Sequence, residues 1–174
     1  RPKFNANRKY KYSPKIKKIV KNLQDDILII GASQGIGLQF LQIFRMNKSI
    51  KIFATYNKNK INIDGLNIHK VKFDIKKDFK KLSKIINQNL SLKIFYFISD
   101  KIYFEKKLNR KIQKNYKYFF FDMPIKIINK HINNKKILFF YPSTTNIEID
   151  KNSFFSKIKL IKEKKLNLLK KKAK

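Results

Sequence analysis

Cysteine is absent from this chain of 174 residues. That excludes disulfides, thiolate metal sites and cysteine nucleophiles. Histidine occurs only at His69 and His131, too few for a histidine-based metal centre, and both are read as surface or structural residues. No apolar run approaches the about 20 residues that span a bilayer. The N-terminus is basic but has no apolar core segment, so it is not a secretory signal. The expected compartment is the cytoplasm, with no membrane partner. Acidic residues are scarce, 11 against 43 Lys and Arg, for a formal net charge of +32. Such an excess can mark a polyanion partner. Here, however, Lys is enriched together with Asn, Ile and Phe, residues that share A- and T-rich codons. The charge is mostly Lys rather than Arg and is scattered along the chain. A protein that reads a groove uses the planar fork of Arg more often. Solvated surface is therefore the preferred reading, and no specific nucleic acid is expected. A basic polyanion-binding protein stays as a third functional reading.

Hydrophobic residues make up 43% of the chain, enough for one domain with a real core. Residues 1–24 are dense in Lys and Arg and interrupted by Pro2 and Pro14. They read as a tail or linker, with a short helix at 15–22. From residue 25 to 174 strands and helices alternate, as one domain. Strands are expected at 27–30, 50–56, 68–75, 92–99 and 135–143. Helices are expected after Gly35, at 77–90, over most of 106–133 with Pro124 marking a kink or a start, and from about 153 to 172. The helix after Gly35 places Ile36, Phe40, Ile43 and Phe44 on one face. The last one buries Ile158, Ile161 and Leu168. This rhythm predicts an α/β fold, a three-layer, Rossmann-like, doubly wound parallel sheet.

Glycine is scarce as well, four in the whole chain, yet Gly31, Gly35 and Gly37 stand together in "ILIIGASQGIG". The run "ILII" suits a strand buried on both faces. Gly31 permits the sharp turn that follows it. Gly35 lets a phosphate approach the backbone, and Gly37 lets the next helix pack on the strand. The helix N-terminus offers N–H groups and partial positive charge to an anion.

The G-x-x-x-G-I-G spacing after a buried strand resembles the short-chain dehydrogenase/reductase family. The resemblance covers residues 26 to about 172 and implies a strand order of 3-2-1-4-5 and a nicotinamide dinucleotide across the strand ends. Gly31, Ser33, Gln34, Gly35, Ile36 and Gly37 would form part of the cofactor site, with the phosphate approaching at Gly35. Asp74-Ile75, ending the third strand, stand where the family contacts the adenine ring. The second strand ends in "FATYNKNK" with no acid, and Asn57, Lys58 and Lys60 tilt the expectation to NADP, with NAD as the alternative. Ser99, at the end of the fourth strand where the family's Asn-Asn-Ala-Gly is missing, would also contact the cofactor. Ser143 matches the family's catalytic serine and Lys157 its catalytic lysine, which also binds the cofactor ribose. Ser153 stands in place of the tyrosine that transfers a proton. Tyr141 is a substitute for it, and Asp122 is the nearest match to the relay asparagine. The implied function is an NAD(P)-dependent oxidoreductase acting on a carbonyl or hydroxyl of a small-molecule substrate. The runner-up is a catalytically weakened dinucleotide-binding or regulatory protein. The chain begins at Arg1 and ends before the family's last two strands, which fits a fragment or a reduced form. Homo-oligomer formation is left open.

Overall fold

Five strands form one parallel sheet in the computed structural model, which describes residues 12–89, 91–98, 108–131, 136–142, 153–154, 156–161 and 163–164. They are β1 (Asp26–Ile30), β2 (Ile52–Tyr56), β3 (Ile68–Lys72), β4 (Ser91–Tyr96) and β5 (Lys136–Phe140). Their order is β3-β2-β1-β4-β5, with every neighbouring pair parallel. This is the expected doubly wound arrangement. β1 and β2 end where expected, whereas β3, β4 and β5 stop earlier than the expected runs. β3 ends at Lys72 because the chain turns at Asp74 into the next helix, although the Phe73 N–H still donates to the Tyr56 carbonyl at 2.7 Å.

The described residues fall into two compact units. The first runs to Phe97 and takes in β5. It holds the whole sheet with α1 (Pro14–Lys21), α2 (Gly35–Phe44) and α3 (Phe79–Gln88). Ile27 to Ile30 are fully buried, as a central strand covered on both faces requires. α2 buries Leu38, Leu41 and Phe44. Phe40 and Ile43 pack partly against that core, whereas Ile36 is 55% exposed, outside the apolar face assigned to it. The close seating of Gly37 on β1 sets this rotation. α1 begins with Ser13, whose Oγ accepts from the Ile16 N–H at 3.3 Å, and Pro14 fills the first turn. Within the basic N-terminal segment this helix contributes Val20 to the sheet core. Asn47 holds it there: its buried Nδ2 donates to the carbonyls of Val20 and Leu23, both at 2.9 Å.

The second unit contains the remaining described residues. α4 (Arg110–Lys117) starts at Asn109, whose Oδ1 accepts from the Ile112 N–H at 3.0 Å. A π-helical turn, Tyr118–Asp122, follows, and then α5 (Met123–His131). Pro124 sits at the start of α5 rather than breaking the segment. Having no N–H, it cannot bond the carbonyl four residues back, which is that of Phe120. The Tyr141 hydroxyl donates to that carbonyl instead, at 3.3 Å. Tyr116, Phe120, Leu108 and Ile158 form one hydrophobic cluster of this unit. Residues 156–161 are helical. Ile158 is buried as expected, Ile161 is 58% exposed against expectation, and Leu168 lies outside the described residues. The structure corrects the apolar face because the helix turns Ile158 inward, and Ile161, three positions on, stays at its rim. Among the described residues no helix is long and apolar enough to cross a membrane. Nor do they include a group of three His, Asp or Glu able to hold a metal ion.

Candidate functional site

In a parallel sheet all the strand C-termini lie at one edge. Gly31 follows β1 there, Asn57 follows β2, Asp74 follows β3 and Phe97 follows β4. The crossovers diverge between β1 and β4, which are paired from Asp26–Leu92 to Ile30–Tyr96. The Phe97 N–H extends this pairing by donating to the Ile30 carbonyl at 2.8 Å. A crevice at that divergence is where open α/β sheets take ligands.

The glycines of this loop do three separate jobs. Gly31 has φ +92° and makes the turn. A Cβ on Gly37 would lie 2.0 Å from the Gly31 carbonyl oxygen and 2.9 Å from its carbon, so only glycine allows α2 to pack so close to β1. Gly35 has φ +56°, and a Cβ there would meet nothing within 4 Å. The space beside it is open. Gln34, the residue before α2, makes no side-chain capping bond. Ser33 is partly buried, and Gln34, Gly35 and Ile36 are exposed. The loop therefore forms an open cradle at the start of α2.

Thr55 shapes this cradle, a role sequence reasoning missed. It is buried, its Oγ1 accepts from the Gly31 N–H at 2.9 Å, and its carbonyl accepts from the Ala32 N–H at 2.8 Å. Its signal was only its place at the end of β2. Just beyond it Asn57, Lys58, Asn59 and Lys60 are all exposed. Asn59 Nδ2 donates to Gln34 Oε1 at 3.3 Å, bringing this loop to the glycine loop. Asp74 is partly buried and opens the turn into α3: its Oδ1 accepts from the Lys76 N–H at 2.9 Å, and its N–H donates to Asp78 Oδ2 at 2.8 Å. Ile75 is buried beside it. Ser99 and Ser143 lie outside the described residues.

In the second unit Ser153 is buried, and its Oγ accepts from the Ser156 N–H at 3.2 Å and donates to Ser156 Oγ at 2.9 Å. Its carbonyl accepts from the Lys157 N–H at 3.1 Å. This is the geometry of a helix N-cap. The Lys157 side chain is exposed. Lys159, roughly 200° further around the helix, is the buried lysine, 4% exposed. Its Nζ donates to the Pro142 carbonyl at 3.0 Å and lies 4.1 Å from the centre of the Tyr141 ring and 5.4 Å from that of Phe120. Burial lowers its pKa to about 8, against a smaller opposing pull from Glu163. Burial, and then the Glu163 charge, push the Tyr141 phenol far above its ordinary value, so it remains a neutral donor. The unit thus brings Tyr141 together with Lys159, and it separates the Ser153 hydroxyl, held in a cap, from the solvent-facing Lys157 side chain. Nothing in the residue types of "SKIKL" distinguishes the two lysines, because Lys is spread over the whole chain. Asp122 is partly buried, with Oδ1 4.0 Å from Lys117 Nζ.

No family model matches the chain, and no curated protein matches it. Solved structures do. A short chain dehydrogenase family protein from Francisella tularensis subsp. tularensis SCHU S4 is 18% identical with a TM-score of 0.58, over 79% of this chain and 59% of that one. A short chain dehydrogenase from Leptospira borgpetersenii serovar Hardjo-bovis (strain JB197), with bound NAD+, is 17% identical with a TM-score of 0.55, over 83% of this chain and 64% of that one. At these identities the likeness establishes the fold, a five-stranded Rossmann-like parallel sheet. The chain spans about three-fifths of the length of these two proteins.

Proposed function

We propose that this chain is the dinucleotide-binding part of an NAD(P)-dependent oxidoreductase of short-chain dehydrogenase type, with NADP as its cofactor. The glycine loop carries this reading. A positive-φ glycine opens onto empty space at an uncapped helix start, and Gly37 is pinned so closely to Gly31 that no other residue fits. These features fit a pyrophosphate. The backbone N–H groups of residues 35–37 would receive it, Thr55 would keep the turn in shape, and Asp74 with Ile75 would flank the adenine. Lys58 and Lys60, exposed where an acid would select NAD, would face a ribose 2′-phosphate. The bound cofactor would supply a hydride to a carbonyl substrate. The likeness to a dehydrogenase with bound NAD+ supports the binding of a nicotinamide dinucleotide.

The proton-handling groups support a second reading, a weakened or regulatory dinucleotide-binding protein. Ser153 is committed to a helix cap, and a serine hydroxyl is a much weaker acid than a phenol. In this reading Lys159 takes the lysine's place beside the segment of Ser143, since it contacts Pro142, and Lys157 serves as surface charge. The test is a fluorescence titration with NADPH and NADH. The wild type should prefer NADPH, and the double substitution Lys58→Glu with Lys60→Glu should cancel or reverse that preference without unfolding the protein. Equal affinities in both proteins would contradict the cofactor assignment.

A further inference from the structure

The second unit carries an open groove of about 540 Å³ that the dinucleotide reading does not use. Its floor is apolar: Phe121 from the π-helical turn, and Phe154, Ile158 and Ile161 from the last described helix. Ile158 is buried at its base and Ile161 stands exposed at its rim. One side is cationic. Arg110, Lys114 and Lys117 repeat at i, i+4 and i+7 along α4, so they share a face. Among the described residues that line it there is no carboxylate. Lys117 is countered weakly by Asp122 at 4.0 Å, and among the described residues neither Arg110 nor Lys114 has an acid within ion-pair distance.

The geometry points to a binding site for a free single-chain carboxylate amphiphile, a fatty acid, whose headgroup meets Arg110 and Lys114 while its chain lies on Phe121, Phe154, Ile158 and Ile161. Two arguments select this occupant. The first is charge: an apolar trough with one basic wall suits an apolar tail with one anionic end. A second copy of this chain would bring another set of lysines against the same wall, in a protein of net charge +32. The second is size. The basic row spans about 10 Å of helix, and the volume lies in the range of small-molecule sites. A stable protein interface needs about 800 Å² per partner.

The test is calorimetric titration of the whole chain with octanoate, decanoate and dodecanoate, each kept below its micelle concentration. Saturable binding at one site is expected, tightening by about three- to fourfold per added methylene. The quaternary ammonium decyltrimethylammonium should not bind. Arg110→Ala and Lys114→Ala, both at exposed positions, should each weaken decanoate by up to about fivefold, and Ile161→Asp should abolish binding with the fold intact by circular dichroism. NADPH affinity should be unchanged in all three variants, so failure here is separable from failure of the cofactor reading. The proposal is overturned by no saturable carboxylate binding, by equal binding of the ammonium compound, or by binding insensitive to the substitutions. It is also overturned if the wild type is a dimer that Ile161→Asp dissociates, or if it binds anionic phosphatidylglycerol vesicles but not free decanoate.

Discussion

Raising the pH should stabilise this protein through one lysine, and replacing Lys159 with methionine isolates the effect. Lys159 is held against the Tyr141 and Phe120 rings, and its Nζ donates to the Pro142 carbonyl. Burial lowers its pKa from the ordinary 10.5 to about 8. Below pH 8 the folded and unfolded chains both carry its proton, and the fold bears the full cost of a buried ammonium. Between pH 8 and 10.5 the folded chain has lost a proton that the unfolded chain retains, so stability rises with pH. The whole displacement corresponds to about 3 kcal/mol, of which about 2 kcal/mol develops by pH 9.5. Many other groups titrate in this range, but they are shared by wild type and Lys159→Met. Urea denaturation of both proteins at several pH values from 7 to 9.5 therefore gives the answer by difference. The stability of the wild type relative to the variant should rise by about 2 kcal/mol over that range. Stopping at pH 9.5 avoids the tyrosines, among which Tyr141 has its pKa raised and would act in the opposite direction. A difference that stays flat, or that falls as pH rises, would refute the claim that this ammonium is buried at a cost.

The remaining expectations concern the cradle and the caps. Gly37→Ala places a methyl 2.0 Å from the Gly31 carbonyl oxygen and should cost at least about 1–3 kcal/mol, read as a lower midpoint in thermal melts. Unchanged stability would mean that α2 is not seated on β1 as described. Ser153→Ala removes a helix N-cap and should cost about 1 kcal/mol while leaving NADPH affinity as it was; a tenfold loss of affinity would return Ser153 to the binding site. Tyr141→Phe takes away the hydroxyl that serves the Phe120 carbonyl beside Pro124 and should cost about 1 kcal/mol by urea denaturation, with no cost arguing against that bond. Carbonyl reduction with NADPH should be slow in the wild type, since general acid catalysis by a phenol is worth roughly 10²–10⁴-fold, and brisk turnover would exclude the weakened-enzyme reading.

The sheet was legible because its signals are local and redundant. Four consecutive apolar residues at 27–30 need a strand covered on both faces, and the glycines after it need a turn into a helix. Each further strand was bounded by polar turns. Strand ends were harder, since apolar residues such as Phe73 and Phe97 continue past the last paired position. Choosing between Lys157 and Lys159 was beyond the sequence: both flank Ile158, and only the rotation of the helix decides which one is buried. Thr55 was missed for a related reason, because a threonine near a strand end is ordinary until its hydroxyl is seen under Gly31. The π-helical turn was half visible. Pro124 announced a disturbance, but the tyrosine that donates to the Phe120 carbonyl comes from residue 141, beyond the reach of any local pattern.

The central claim is that the open space beside Gly35 is the path of a dinucleotide pyrophosphate, and calorimetric titration of NADPH into the wild type and into Gly35→Ala tests it most directly. The added methyl meets no protein atom within 4 Å, so apart from a strain cost of about 1–2 kcal/mol for an L-residue at φ +56° the fold should survive, as circular dichroism can verify. The account predicts one saturable NADPH site in the wild type and at least tenfold weaker binding in the folded variant. No NADPH binding to the wild type, or equal binding to both proteins, would contradict it.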